Sequence, residues 1–318
     1  MKGLQYGKYT FTCKLDAPAI LPEYKGSTFR GVFGTAFKHA VCALKHPTCD
    51  DCPLRRHCLY TVVFETPLAV SPKSDLRVSA TPHPFVLQPP KTRKQNFAQG
   101  DAFQFTLLLF GEVNAQFRYF FHAFQEAGMT GIGKRINGRR PSFHIIDIHS
   151  GGQSIYASET GLPTNENGVE WLTVTSGSTS EKTDRVHLTL KSPLRFKFKN
   201  RIERDLPFHL LVRAMLRRIS SLFIAYADGE PNLDYKGLLE RAEKVRTAKK
   251  HLFWHDWERY SNRQKQRMPM SGIAGDIVYE GELDEFMPFI DICSKLNIGK
   301  NTAFGLGKIG CFRHSIMS

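Results

Sequence analysis

Ile298-Gly299-Lys300-Asn301-Thr302-Ala303-Phe304-Gly305-Leu306-Gly307-Lys308-Ile309-Gly310 follows a helical pattern over Phe286 to Leu296 and leads into a β-like segment from Lys308 to Phe312. Earlier in the chain, Gly128-Met129-Thr130-Gly131-Ile132-Gly133-Lys134-Arg135 follows an aromatic-rich helical pattern over Asn114 to Ala127, in the same order of helix, glycine-rich turn and lysine. Two half-chains with the same ending predict an internal duplication. In the later loop the glycines allow positive φ and close approach, so its amides and lysines are expected to face an anion such as a phosphodiester backbone. A tight helix-to-strand turn would leave the same pattern. A dinucleotide fingerprint runs from strand to helix, the reverse of this order, and no lysine precedes Ser or Thr in the frame of a P-loop.

Outward from these loops, Tyr6 to Leu15 alternates as a strand with Tyr9, Phe11, Cys13 and Leu15 on one side. Phe29, Phe33, Ala36, Phe37, Ala40 and Leu44 recur at helical spacing from Gly26 to Leu44, with Ser27 or Thr28 as N-cap. Leu59 to Phe64 and Ala102 to Phe110 read as strands, and the prolines between Pro67 and Pro90 predict an irregular arm. The second half offers a strand at Val186 to Leu190, helices at Leu206 to Tyr226 and Leu233 to Lys244, and a strand at Ile273 to Tyr279. The expected class is α+β: two tandem ferredoxin-like modules, residues 1–176 and 185–318, joined by a linker at Ser176 to Asp184. A small cysteine-rich, metal-binding insertion at 42–58 interrupts the first.

The chain has 318 residues and 41% hydrophobic content, enough for real cores. Lys plus Arg exceed Asp plus Glu by 44 − 30 = 14, so polyanions are its natural partners, nucleic acid before membrane. No apolar run approaches bilayer length, and Met1 to Tyr6 lacks the core of a secretory signal, which predicts an intracellular protein. Seven cysteines, four of them between Cys42 and Cys58, suit a reducing compartment and a metal site better than disulfides.

Four groups of residues could carry chemistry. If Leu194 to Arg201 is extended, Arg195, Lys197, Lys199 and Arg201 share one face, opposite Leu194, Phe196 and Phe198. Cations in register repel and call for phosphates, although a solvated strand face would read alike. Cys42, Cys49, Cys52 and Cys58 have spacing suited to a closed, structural four-thiolate zinc site, with His46 and His57 in reserve; an iron-sulfur cluster could use the same thiols. His39 and His46 fall on one side of the first helix if it persists that far, with Lys38 beside them, placing a titratable base near a cation. Arg259, Tyr260 and Arg263 lie in an aromatic and cationic run from Trp254 to Arg267 that suits base stacking on single-stranded or junction RNA.

Together these stretches resemble the CRISPR-associated RAMP endoribonucleases, which cut precursor CRISPR RNA within its repeats. The resemblance is carried by Gly26-Ser27-Thr28-Phe29-Arg30-Gly31-Val32-Phe33-Gly34, Cys58-Leu59-Tyr60, Phe64-Glu65-Thr66-Pro67, Pro82-His83-Pro84-Phe85-Val86-Leu87, Asp256 to Gln264 and Gly299 to Gly310. It implies two RRM-like RAMP modules side by side, repeat RNA across their shared face, other Cas proteins as partners, and a place in the prokaryotic cytoplasm. It also implies metal-independent cleavage that leaves a 5′-hydroxyl and a 2′,3′-cyclic or 3′-phosphate. The family's base is usually a histidine in or just after the first helix, which leaves both His39 and His46 open. Lys38 or Lys300 would stabilise the phosphorane, and Arg195, Lys197, Lys199 and Arg201 would grip the repeat. Arg259, Tyr260, Arg263, Gly299, Lys300, Gly305, Gly307 and Lys308 complete the expected RNA-binding set. Some relatives bind without cutting, so a non-catalytic RNA-binding subunit of an effector complex is the alternative, and a zinc-dependent nuclease is a third reading.

Overall fold

A computed structural model describes residues 3–45, 48–70, 81–158, 161, 163, 168–174, 182–261 and 266–314. The chain divides into two compact units, Met1–Trp171 with Ile224–Asp228, and Leu172–Phe223 with Gly229–Ser318. Among the described residues no helix is long and apolar enough to cross a membrane.

In the first unit β1 (Leu4–Leu15), α1 (Gly26–Val41), β2 (Phe85–Gln88), β3 (Ala102–Phe110), α3 (Phe117–Thr130) and β4 (Phe143–Ser150) follow the βαββαβ order; a short helix, α2 (Leu59–Phe64), lies within the first connection. The sheet runs β2-β3-β1-β4 with neighbours antiparallel, the strand order of a ferredoxin-like unit, and Gln153–Ala157 extends it beyond β4. Alternation in β1 sends Tyr9, Phe11, Cys13 and Leu15 into the core. Helical spacing in α1 and α3 turns phenylalanines onto that face: Phe33 stacks on Phe124 at 4.4 Å, Phe37 meets Phe120 at 4.8 Å, and Phe11 packs on Phe105 at 4.7 Å.

Four expectations need correcting. Leu59–Phe64 is a helix. Its β-branched Thr61-Val62-Val63 had suggested a strand, but Tyr60 stacks on Phe64 at 5.3 Å, an i,i+4 contact available only to a helix, while Phe64 also meets Phe33 at 5.3 Å and Phe85 at 5.2 Å. Phe85–Gln88, within the supposed arm, is a fully buried strand paired with β3, because its apolar run lies between the prolines rather than across them. Residues 71–80 of that arm lie outside the described residues. The first helix stops at Val41, with Cys42 already extended, so Leu44 is exposed and off the apolar face. Its N-cap is Lys25, whose buried side chain donates instead to the carbonyls of Glu23 and Thr92.

The second unit repeats the order as β5 (Arg185–Leu194), α4 (Phe208–Tyr226), β6 (Arg246–His255), β7 (Gly272–Glu280), α5 (Met287–Leu296) and β8 (Ile309–His314), with a shorter helix at Tyr235–Ala242. Its sheet runs β6-β7-β5-β8, again antiparallel and again ferredoxin-like in order. Val186, Leu188, Leu190, Ile277 and Tyr279 are buried on one face. Arg218 of α4 is also buried and donates through Nη2 to the carbonyl of Leu296 at 3.1 Å, satisfying the C-terminal end of α5. In both units a glycine-rich turn follows the second helix, so the repeated ending of the sequence marks the same topological place.

Candidate nucleic-acid interface

The loop after α5 is a clamp on the end of β5. Gly307 has φ +74, and a Cβ there would overlap the carbonyl oxygen of Ile298; Gly299 has φ +83 and is pressed likewise against the carbonyl of Arg195. Those approaches let the Ile298 amide donate to Gly307 at 2.8 Å, the Gly307 amide to Pro193 at 3.0 Å and the Lys300 amide to Arg195 at 2.6 Å. Ser192 Oγ donates to the Gly305 carbonyl at 2.8 Å and accepts from the Lys308 amide at 2.9 Å. Buried Asn297 donates to the Leu306 carbonyl at 2.9 Å. The expectation that these amides face an anion is therefore corrected: the amides of Lys300, Gly305, Gly307 and Lys308 are engaged within the unit, and Lys300 is left to present charge as an exposed ammonium.

Leu194 to Arg201 does not continue as one strand. Lys197–Phe198 pairs with Arg201–Ile202, and Lys199 and Asn200, at φ +46 and +64, reverse the chain between them in the geometry of a tight hairpin. Cross-strand partners share a face, so Phe198 sits with Arg201 and Lys197 with Ile202, and the four cations are not in register. Arg195 turns inward and donates to the Ser271 carbonyl at 2.8 Å. Lys199 and Arg213 lie over the Phe198 ring at 5.4 and 5.2 Å. What the fold does assemble is a cluster around Lys300. Its ammonium is held below the usual lysine range by burial first and then by Lys197, Arg217 and Arg195, all of them cations. Arg217 lies on the helix that the periodicity predicts, but its place here depends on how α4 meets the loop.

The Asp256 to Gln264 region forms a hairpin of Glu258–Ser261 and Gln266–Pro269. Arg259 lies 4.6 Å over the ring of Phe304 in the glycine loop and 3.2 Å from Met268 Sδ. Burial holds its pKa below the usual arginine value, and its Nε has no hydrogen-bond partner among the described residues. Arg259 thus fastens the hairpin to the loop. The backbone of Tyr260 is part of the first hairpin strand, and Arg263 lies outside the described residues.

In the first unit, His39 stands on the last turn of α1 with 70% of its side chain exposed, and its Nδ1 is 2.5 Å from Glu126 Oε1 on α3. A carboxylate can only accept, so Nδ1 is the protonated nitrogen and Nε2 is the one that serves as base in the neutral ring. Lys38, next to it on the helix, holds its ammonium 5.6 Å over the Tyr60 ring. His46 lies outside the described residues, and α1 ends before reaching it. Glu126 escaped sequence reasoning because 87 residues separate it from His39.

Cys42 closes α1 and Cys58 precedes α2, while the Cys52 amide donates to the Cys49 carbonyl at 3.4 Å. Burial raises the Cys49 thiol pKa; Lys38 opposes that shift, and Glu65, Cys58 and Cys42 reinforce it. Among the described residues no three His, Cys, Asp or Glu side chains form a group able to hold a metal, and the four-thiolate zinc centre expected from the spacing finds no support there.

Two antiparallel sheets of ferredoxin-like order, one carrying a glycine clamp beside a cation cluster and the other an exposed, carboxylate-anchored histidine, define an α+β protein of two ferredoxin-like units. A family model described as an N-terminal domain matches residues 4–168, more than half of the chain, and the model of the CRISPR-associated endoribonuclease Cas6 matches residues 188–309. By the second match, residues 188–309 belong to the family of CRISPR-associated Cas6 endoribonucleases. An uncharacterized protein of Archaeoglobus fulgidus is 24% identical over 296 residues, covering 90% of this chain and 91% of that one. Among solved structures, Thermus thermophilus Cas6 is similar with a TM-score of 0.55 at 13% identity, covering 98% of this chain and 99% of that chain. A Cas6 product complex gives 0.54 at 14% identity over 98% and 100%. A partial Cas6-RT-Cas1–Cas2 complex gives 0.55 at 12% identity, over 98% of this chain but 47% of that longer one. At these identities the structural likeness speaks for the fold.

Proposed function

We propose that this protein cleaves precursor CRISPR RNA within its repeats by 2′-hydroxyl attack, with His39 as general base. The observation that carries the proposal is the exposed imidazole of His39 anchored through Nδ1 by Glu126 at 2.5 Å. Nε2 removes the 2′ proton, the 2′ oxygen bonds to the adjacent phosphorus, and the bond from phosphorus to the 5′ oxygen breaks. The products are a 2′,3′-cyclic phosphate and, once the leaving oxygen takes a proton from solvent, a 5′-hydroxyl. Because the nucleophile is already part of the substrate, the reaction calls for no metal-activated water. Lys38 neutralises developing charge on the phosphorane, and Lys197, Arg217 and Lys300 hold the RNA backbone. A Cas6 product complex and a Cas6-RT-Cas1–Cas2 complex, both of similarly folded proteins, support repeat RNA and other Cas proteins as partners.

The test is single-turnover cleavage of a labelled repeat RNA in EDTA. His39→Ala is expected to lose roughly 10²–10⁴-fold in rate with RNA affinity unchanged. Glu126→Gln is expected to fall between the two in rate, also with affinity intact. Cleavage by His39→Ala at the wild-type rate would remove His39 from the mechanism. Wild-type protein that binds the repeat and leaves it whole would favour the non-catalytic RNA-binding alternative.

A further inference from the structure

The second sheet has one face on its core and one face open. Register places Arg246, Glu280 and Arg185 in one row across the open face; Lys249, Val278, His187 and Phe312 in the next; then His251, Asp276 and Thr189. Phe253 lies further along β6 and Lys191 further along β5. Phe253 and Phe312 are 54% and 57% exposed, and no other phenylalanine among the described residues is exposed. They share one face of one sheet, separated by three strand spacings, roughly 14 Å, across it and by four residues, roughly 13 Å, along it.

The polar groups around them are arranged rather than scattered. Phe312 lies against His187 with ring centroids 6.0 Å apart. His187 Nε2 is 3.1 Å from Asp276 Oδ1, and Thr189 Oγ1 donates to that same oxygen at 2.6 Å. Arg185 pairs with Glu280 at 3.2 Å and Arg246 pairs with the other oxygen of that carboxylate. The face therefore carries Arg185, Lys191, Arg246 and Lys249 against Asp276 and Glu280, a surplus of two positive charges. Exposed Lys191 and Lys249 are its outward cations, and Lys249 lines, with His187, His251 and Asp276, a depression of about 1080 Å³.

We propose that this open face is a second RNA site, taking a single-stranded segment outside the cleaved hairpin, with bases stacked on Phe312 and Phe253 and phosphates on Lys249 and Lys191. Aromatic rings exposed on a flat four-stranded sheet offer a base the stacking surface it loses on unpairing, and cations beside them suit a polyanion rather than an apolar protein surface. Asp276 accepts from a base amino group or a ribose 2′-hydroxyl, a contact that favours RNA over DNA. The proposal rests on the reading of the chain as an RNA-processing protein only for the class of polymer.

The experiment is fluorescence anisotropy of labelled oligoadenylate, with cleavage of a repeat hairpin measured in parallel. Phe312→Ala and Phe253→Ala are each expected to weaken oligoadenylate binding roughly 5- to 150-fold, and Phe312→Trp and Phe253→Trp to retain it. Both rings are exposed, so thermal melts of the variants should match wild type, and hairpin cleavage should persist. Alanine variants that bind oligoadenylate as wild type does, or a wild-type protein that does not bind it, would overturn the site while leaving the cleavage reading intact. If the wild type binds oligoadenylate through these rings yet cuts no repeat, the site stands and the cleavage reading fails. Loss of self-association in sedimentation, with RNA affinity unmoved, would assign the face to a second copy and overturn the proposal.

Discussion

Lys300 has a charge state that matters for both stability and binding. Its folded pKa is depressed by burial and by Lys197, Arg217 and Arg195, so between that pKa and the ordinary lysine value the unfolded chain binds more protons, and stability rises with pH there. Below the depressed pKa the ammonium is a standing cost to the fold. Lys300→Met is therefore expected to raise the melting temperature at neutral pH and flatten the alkaline rise seen in denaturant melts. The same variant should weaken RNA binding and reduce the slope of log affinity against log salt by about 0.7. A slope equal to wild type would remove Lys300 from the RNA contacts. Residue type was readable before the structure: His39, Lys300 and Arg195 all stood out. Their partners were not, because Glu126, Arg217 and Ser271 reach them across tens of residues through helix and loop packing that periodicity does not encode.

Elements were legible where one periodicity ran unbroken. The first strand, with its alternate residues buried, and the strand from Ala102 to Phe110 fall where the pattern puts them, while the aromatic helix runs Phe117–Thr130, displaced toward the C-terminus from the Asn114 to Ala127 of the pattern. The pattern misled at short segments whose structure is set from outside. Leu59–Phe64 has strand-forming residues but closes as a helix because Tyr60, Phe64, Phe33 and Phe85 must meet, and Leu194 to Arg201 has perfect alternation but reverses at Lys199 and Asn200. The core these elements share predicts that Phe33→Ala will destabilise the protein by about 3–5 kcal/mol in denaturant melts, since Phe33 is buried against Phe37, Phe64, Phe85, Phe120 and Phe124. Gly307→Ala should cost more than about 1 kcal/mol, because a side chain there is strained at φ +74 and meets the carbonyl of Ile298; a neutral effect would show that the loop is not a clamp.

The whole molecule repeats one topology, and the two copies have been given different surfaces. The first unit carries the exposed histidine, while the second carries the glycine clamp, the cation cluster and the open aromatic face. The recurring order of helix, glycine turn and lysine exposed the repetition, because a turn that needs positive φ keeps its glycines even where the surface around it differs. A cysteine pattern with the spacing of a metal site was less informative, since spacing along the chain does not bring thiols to one point. The central claim, that the substrate's own 2′-hydroxyl is the nucleophile, is tested most directly by replacing that one hydroxyl with hydrogen at the scissile nucleotide and measuring single-turnover cleavage in EDTA. The all-ribose repeat should be cut to a 2′,3′-cyclic phosphate and a 5′-hydroxyl, and the deoxy-substituted repeat should bind equally well and stay intact. Cleavage of the deoxy-substituted repeat at the same bond would contradict the account.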